Sequence, residues 1–158
     1  MSHVTSQDGT SIAHDRVGNG PTLILVDGVL DDGSENAPLV SELAEYFTVY
    51  NYARRGRGKS GDTAPYAVAH EIEDLEALIT EAGGSAHIYG ASSGDALALE
   101  TAAAGLPINK LAVYEVPYDM SADAPQAQGV HQEAAGTPRR GPPRRRGRTR
   151  HAHAGFFR

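Results

Sequence analysis

Residues 86–105, AHIYGASSGDALALETAAAG, are the stretch that decides the fold. It opens with a short apolar run typical of a buried strand, passes through Gly90-Ala91-Ser92-Ser93-Gly94, and continues as an Ala- and Leu-rich segment ending at Gly105. This pattern predicts a strand, a tight turn and a helix over residues 93–104. A strand followed at once by a helix is the repeating unit of a parallel α/β sheet.

The rest of the first 120 residues repeats this alternation. Residues 1–17 alternate around Asp8-Gly9 and predict a hairpin. Further strands are predicted at residues 22–26, 47–52, 86–89 and 110–115, and further helices at residues 34–46 and from Val68 to Ile79. In the second of these helices we expect the acidic residues on the face opposite the apolar one. We therefore predict an α/β fold with a mostly parallel sheet flanked by helices.

The turn after the decisive strand carries a chemical motif. Gly90, Ser92 and Gly94 match GxSxG between a predicted strand and a predicted helix. A nucleophilic serine on such a strained turn needs small neighbours, and the N-terminus of the following helix favours an oxyanion beside it. The alternative is a small-residue turn whose serine only caps the helix.

Several motifs in order resemble the α/β-hydrolase family. LILVDG (residues 23–28), VYNYARRGRGKSG (residues 49–61), IYGASSG (residues 88–94) and LAVYEVPY (residues 111–118) are similar to its third strand, fourth strand with Gly-rich loop, nucleophile elbow and sixth strand. The resemblance covers Val4 to Tyr118, the N-terminal part of that fold.

The resemblance implies a serine-nucleophile hydrolase acting on a small ester-like or related small-molecule substrate through an acyl-enzyme. Ser92 would be the nucleophile, and the amides of Val29 and Ser93 would form the oxyanion hole. No cofactor and no metal ion is implied. Three positions depart from the family pattern: Asp27 where His is frequent, Ala53 where Asp is frequent, and Ala91 where His or Gln is frequent. Asp27 would place a carboxylate near the oxyanion pocket unless it turns away or is neutralised.

The general base is the missing part of this interpretation. By the resemblance, an acid and a histidine should follow the nucleophile in the chain, and neither segment is recognisable. Glu115 is the candidate acid, since some members place it after the sixth strand. The histidines after Ser92 all fall in the last 38 residues, at His131, His151 and His153. We expect an impaired enzyme; the alternative is a non-catalytic, truncated homologue that binds a partner chain or a polyanion.

Charge divides the chain at residue 120. Residues 1–120 carry 6 Lys+Arg and 18 Asp+Glu, a net charge of −12, whereas residues 121–158 carry 8 and 2, a net charge of +6. The second segment lacks an apolar period, is rich in Arg, Pro and Gly, and is predicted to be a disordered tail. Two interpretations stay open: a phosphate-binding appendage, or an out-of-frame reading of a GC-rich gene.

Other functional classes find little support in the sequence. The chain has no cysteine, so thiolate chemistry is excluded. Residues 56–61 satisfy GxGxxG, but Pro65 follows where a helix should open, so no nucleotide cofactor is predicted. Only the basic tail suggests nucleic acid. We expect no membrane partner, a cytoplasmic location, and possible self-association through an exposed sheet edge at the sixth strand.

Overall fold

The computed structural model describes residues 1–118, which fall within the first of two units, Met1–Asp119 and Met120–Arg158. The tail predicted for residues 121–158 lies outside the described residues, and so do the three histidines that follow Ser92. The structure therefore does not bear on the two interpretations of that segment, an out-of-frame reading or a phosphate-binding appendage.

The described residues form one six-stranded sheet, which confirms the predicted fold class. Its strands are β1 (Ser2–Thr5), β2 (Ser11–Val17), β3 (Thr22–Val26), β4 (Thr48–Tyr52), β5 (Ala86–Ala91) and β6 (Ile108–Tyr114). Their order across the sheet is β1-β2-β4-β3-β5-β6. The N-terminal hairpin is antiparallel to β4, whereas β4, β3, β5 and β6 are mutually parallel, so their C-terminal ends meet at one edge of the sheet.

Three helices connect the strands: α1 (Ala37–Leu43), α2 (Val68–Glu81) and α3 (Ser93–Ala103). Helix α1 is shorter than the predicted 34–46. Its N-cap residue, Asn36, makes no side-chain capping bond, and its amide nitrogen donates to Asp27 and to Asn51. No helix within residues 1–118 is both long and apolar enough to cross a bilayer.

The sheet is packed on both faces. On one face, α2 and α3 cover the larger core, whose buried members include Ile24, Tyr52, Leu78, Ile88 and Leu97. On the other face, α1 covers a smaller cluster of Leu23, Leu25 and Val49. Continuous apolar runs such as β3 are explained by this arrangement, since both faces of a central parallel strand are buried.

The acidic residues of α2 do not all occupy its outer face, so that part of the sequence prediction is wrong. Glu71 and Asp74 are 2% and 1% exposed. Both lie on the buried face because Arg54 and Arg55, directly after β4, pair with them. A carboxylate tolerates burial when a hydrogen-bonded cation accompanies it.

Strand β6 lies at the end of the sheet order among the described strands. Val113 and Tyr114 are 44% and 59% exposed. Beside β6, an apolar groove of about 450 Å³ runs between the sheet and α1, lined in part by Leu43, Phe47 and Leu111. An exposed strand edge next to apolar surface is a template for pairing with another chain.

We expect copies of the full chain to associate along β6. Changing Val113→Lys should shift the population toward monomer, because a charge on an edge strand must be desolvated when another strand pairs with it. Sedimentation velocity over a range of protein concentrations measures the shift. Val17→Lys is the matched control, since Val17 is 42% exposed but lies on β2, between β1 and β4. Equal behaviour of the two variants would place the interface elsewhere.

Candidate functional site

Ser92 occupies the turn between β5 and α3. Its backbone angles are φ 53° and ψ −120°, a combination that non-glycine residues seldom adopt. Its backbone is held there by two hydrogen bonds: Ser92 N–H donates to Tyr114 O at 3.0 Å, and Ser92 O accepts from Asp95 N–H at 3.0 Å. The residue is exposed, so the turn presents the serine at the protein surface.

Gly90 and Gly94 permit this turn because backbone passes close to each of them. A Cβ on Gly94 would lie 2.0 Å from Val26 O, and one on Gly90 would lie 2.8 Å from Asp95 Cα. Both distances are shorter than the closest approach of two non-bonded atoms, so neither position accommodates even alanine without a backbone shift. The two glycines of the motif therefore let α3 rest against the ends of β3 and β5.

The loop after β3 lies beside the serine. A Cβ built on Gly28 would be 3.7 Å from Ser92 Cβ. Val29 is the next residue, and Ser93 is the first residue of α3, where backbone N–H groups have no carbonyl partner within the helix. Of the two predicted oxyanion-hole residues, Ser93 directly follows Ser92, and Val29 directly follows Gly28, which lies beside the serine.

The end of β6 is tied to the same turn. Besides accepting from Ser92, Tyr114 donates its own N–H to Asp95 Oδ1 at 2.9 Å. Asp95 is 0% exposed, and its Oδ2 has no partner among the described residues. Glu115 follows with φ 66°, a left-handed conformation for a non-glycine residue. The candidate acid therefore lies on an exposed segment and directly follows Tyr114, the residue whose carbonyl accepts from Ser92.

Asp27, the first departure from the family pattern, is buried away from solvent with 4% exposure. Its Oδ1 accepts from Asn36 Nδ2, which also donates to Asn51 Oδ1 at 3.0 Å. Burial raises the pKa of Asp27 to about 6, and the bond from Asn36 offsets only part of this effect. The carboxyl therefore turns toward α1, and it is partly protonated near pH 6.

Arg54 reaches the turn through a network of hydrogen bonds. Its Nε and Nη2 donate to Glu71 at 2.6 and 2.7 Å, while its Nη1 donates to Asp27 O at 3.1 Å and to Ser93 Oγ at 3.2 Å. Burial alone would raise the pKa of Glu71, but bonds from Arg54 and Tyr66 lower it below its ordinary value. The pair stays ionised.

Arg55 makes a parallel pair that does not reach the turn. It donates to Asp74 at 2.7 and 2.8 Å, to Asp8 at 2.8 Å and to His70 O at 3.0 Å. The bond from Arg55 holds the pKa of the Asp8 carboxyl well below its usual range. This pair joins the N-terminal hairpin to α2.

The histidines of the described residues lie apart from Ser92. His14 stacks on Tyr50 in the sheet, His70 is on α2, and His3 is on β1. His87 is at the start of β5, roughly 16 Å from Ser92 by strand geometry. Within residues 1–118, no histidine hydrogen-bonds to the serine, and no group of three or more His, Asp or Glu side chains could hold a metal ion.

The sequence prediction missed the two arginine–carboxylate pairs. A signal was present, because Glu71, Asp74, Leu75 and Leu78 share one helical face at i, i+3, i+4 and i+7. Two adjacent arginines after a buried strand supply the matching cations.

A family model and a solved structure both point to one family. The model of the "Alpha/beta hydrolase family" matches residues 31–158. Among solved structures, an alpha/beta hydrolase from Sphaerobacter thermophilus DSM 20745 superposes with a TM-score of 0.75 and 55% identity, over 77% of this chain and 47% of that one.

The matches to curated relatives cover a smaller share of this chain than the match to the solved structure does. "Probable oxidoreductase EphD" of Mycobacterium tuberculosis (strain ATCC 25618 / H37Rv) is 40% identical over 83 residues, which are 49% of this chain and 14% of the relative. "Uncharacterized hydrolase YraK" of Bacillus subtilis (strain 168) is 29% identical over 96 residues, or 58% of this chain and 35% of the relative. The chain thus spans a minor part of the curated relatives it matches and about half of the solved structure.

We expect Gly94→Ala to lower the free energy of unfolding by about 3 kcal/mol or more, because its methyl group would overlap the end of β3. Urea unfolding followed by circular dichroism measures the loss. Gly61→Ala is the matched control: a Cβ there would have its nearest neighbours at 3.5 Å, an ordinary contact. A stable Gly94→Ala protein would contradict the close approach of α3 to β3.

Asp27 should make stability fall as pH rises. Its pKa is raised from 3.8 to about 6 in the folded protein, so its contribution is fully present below pH 4 and is lost as pH passes 6. The shift corresponds to about 3 kcal/mol. In Asp27→Asn, we expect a flatter profile of unfolding free energy between pH 4 and 7 and a higher unfolding free energy at pH 7.

Glu42→Gln is the control, since it neutralises an exposed carboxyl on α1 and should leave the slope of unfolding free energy against pH unchanged. An unchanged slope in Asp27→Asn would refute the assignment.

Proposed function

Because the chain belongs to the alpha/beta hydrolase family, we propose that Ser92 is the nucleophile of a hydrolase that cleaves a small ester-like substrate through an acyl-enzyme. The observation that carries the proposal is the strained backbone of Ser92 between β5 and α3, beside the loop that follows β3. In the reaction, Ser92 Oγ bonds to the carbonyl carbon, the bond from that carbon to the alcohol oxygen breaks, and the serine proton ends on that oxygen, so that the alcohol leaves. Water then hydrolyses the ester formed on Ser92.

The negative charge that develops on the carbonyl oxygen requires hydrogen-bond donors placed in advance. The N–H groups of Val29 and Ser93 are our candidates. Support comes from the position of Ser93 at the helix N-terminus, where the helix dipole is positive, and from the contact of Gly28 with the serine. The Asp27 carboxyl does not oppose this role, because Asn36 holds it on the α1 side.

Proton transfer is the weak step of the proposed reaction. Glu115 is our candidate acid, supported by the bond that joins the preceding residue, Tyr114, to Ser92. The four histidines of residues 1–118 lie elsewhere. We therefore propose that Ser92 reacts with activated electrophiles, losing its proton to solvent, faster than it turns over ordinary esters.

Binding without turnover is the second candidate function. It is favoured by the positions of the histidines in the part of the chain described by the structure, which lie on β1, β2, α2 and the start of β5 and not at the Ser92 turn. In that case the surface around Ser92 would hold a ligand and the serine would be unreactive. The reactivity of Ser92 separates the two candidates.

A fluorophosphonate probe should label the 158-residue chain at Ser92. Ser92 Oγ would bond to phosphorus and fluoride would leave, so the labelled protein gains the mass of the phosphonyl group. Labelling requires only this first step and no hydrolysis of the product. Ser92→Ala should reduce labelling at least about 100-fold, as measured by intact mass spectrometry.

Ser41→Ala is the matched control, since Ser41 is an exposed serine on α1 whose loss should leave labelling unchanged. Labelling that persists in Ser92→Ala would show that another serine reacts. An unlabelled native protein would favour binding without turnover.

A further inference from the structure

One buried guanidinium touches both walls of the proposed oxyanion hole. Arg54 Nη1 donates to Asp27 O, at the start of the loop that carries Val29, and to Ser93 Oγ, at the start of α3. The two acceptors belong to segments 66 residues apart in sequence but adjacent in space. We propose that Arg54 is a positioning residue that sets the separation of the Val29 and Ser93 amides, an inference that rests on the proposed function.

The guanidinium is suited to this task because its other nitrogens are fixed. Nε and Nη2 form a bidentate pair with Glu71, which also accepts from Tyr66 Oη at 2.8 Å. Arg54 and Glu71 are 5% and 2% exposed. A planar fork held on two nitrogens directs its third nitrogen to one place, which a lysine ammonium cannot reproduce.

The third nitrogen, Nη1, donates to a backbone carbonyl as well as to a side chain. Asp27 O is also one of the atoms next to Gly94, since a Cβ there would lie 2.6 Å from it. The Asp27 peptide is thus fixed between the guanidinium and the first turn of α3. An error of about 1 Å in donor placement can cost about 100-fold in rate, so this support bears directly on reactivity.

Arg55 provides an internal comparison. It makes the same kind of buried bidentate pair with Asp74, from the neighbouring residue to the same helix, but its remaining bonds go to Asp8, Ser6 and His70 O. Loss of either pair should destabilise the protein, because a buried carboxylate loses its partner. Only loss of Arg54 should also disturb the turn at Ser92.

The experiment compares Arg54→Lys and Arg54→Gln with Arg55→Lys and Arg55→Gln in the full chain. We measure the maximal rate of fluorophosphonate inactivation separately from the concentration at half-maximal rate. The Arg54 variants should lose about 10-fold or more in the maximal rate, with little change in half-saturating concentration. The Arg55 variants should lose thermal stability but keep the rate of the native protein.

Ser93→Ala covers the case in which the Arg54 variants do not fold. It keeps the Ser93 amide and the Arg54–Glu71 pair and removes only the hydroxyl that Arg54 contacts. We expect the maximal rate to fall about 5-fold, as for the loss of one hydrogen bond. Equal rates in the native protein and in Ser93→Ala, or in Arg54→Lys if it folds, would overturn the positioning role while leaving Ser92 as the nucleophile.

Amide hydrogen exchange tests the same inference without reactivity. Exchange at residues 28–32 and 92–95 should accelerate in Ser93→Ala and in the Arg54 variants, and not in the Arg55 variants. If the native protein is not labelled at all, the proposed function fails, and this exchange pattern still supports or refutes the coupling of the two segments by Arg54.

Discussion

The contact between the start of α3 and the end of β3 is the constraint on which the site depends. At Gly94 the helix backbone comes so near Val26 O that a methyl group would lie 2.0 Å from it. Because the helix must begin there, the turn that joins it to β5 has to be completed within a few residues, and Ser92 takes the positive φ that this requires. The same contact brings the loop after β3 next to the serine. A packing requirement thus determines which groups surround Ser92.

Buried ion pairs between β4 and α2 stabilise this arrangement. Two adjacent arginines leave β4 and pair with two carboxylates on α2, all four of them at most 5% exposed. Buried ion pairs add little net stability compared with apolar packing, yet they are costly to break. Their effect here is to fix the distance and register between β4 and α2. Arg54 extends that order to the turn, whereas Arg55 extends it to the hairpin.

The fold could be predicted from the sequence because its signals are local. Apolar runs, glycine stops and the alternation of strand and helix lie within short windows, and the GxSxG turn is itself a five-residue pattern. The helical face that Glu71 shares with Leu75 and Leu78 hints at its burial, but its pairing with Arg54 is not a local signal, because Arg54 precedes it by 17 residues and meets it only after β4 and α2 pack together. The turn of Asp27 toward α1 likewise depends on Asn36 and Asn51, which come from two other segments.

The order of the strands has a consequence for synthesis of the chain. Strand β3 is flanked by β4 and β5, so one of its two neighbours consists of residues 86–91. On the ribosome, β3 emerges more than sixty residues before that neighbour and must wait with an open edge. The hairpin meets a similar delay, because β2 pairs with β4 across the whole of β3 and α1. Strands β1, β2, β4 and β3 can pair once residue 52 has emerged, whereas the pairing of β5 with β3 and of β6 with β5 must wait for the non-local partner. A nascent chain that pauses before residue 86 would present its most apolar strand, Thr22–Val26, to chaperones or to other nascent chains.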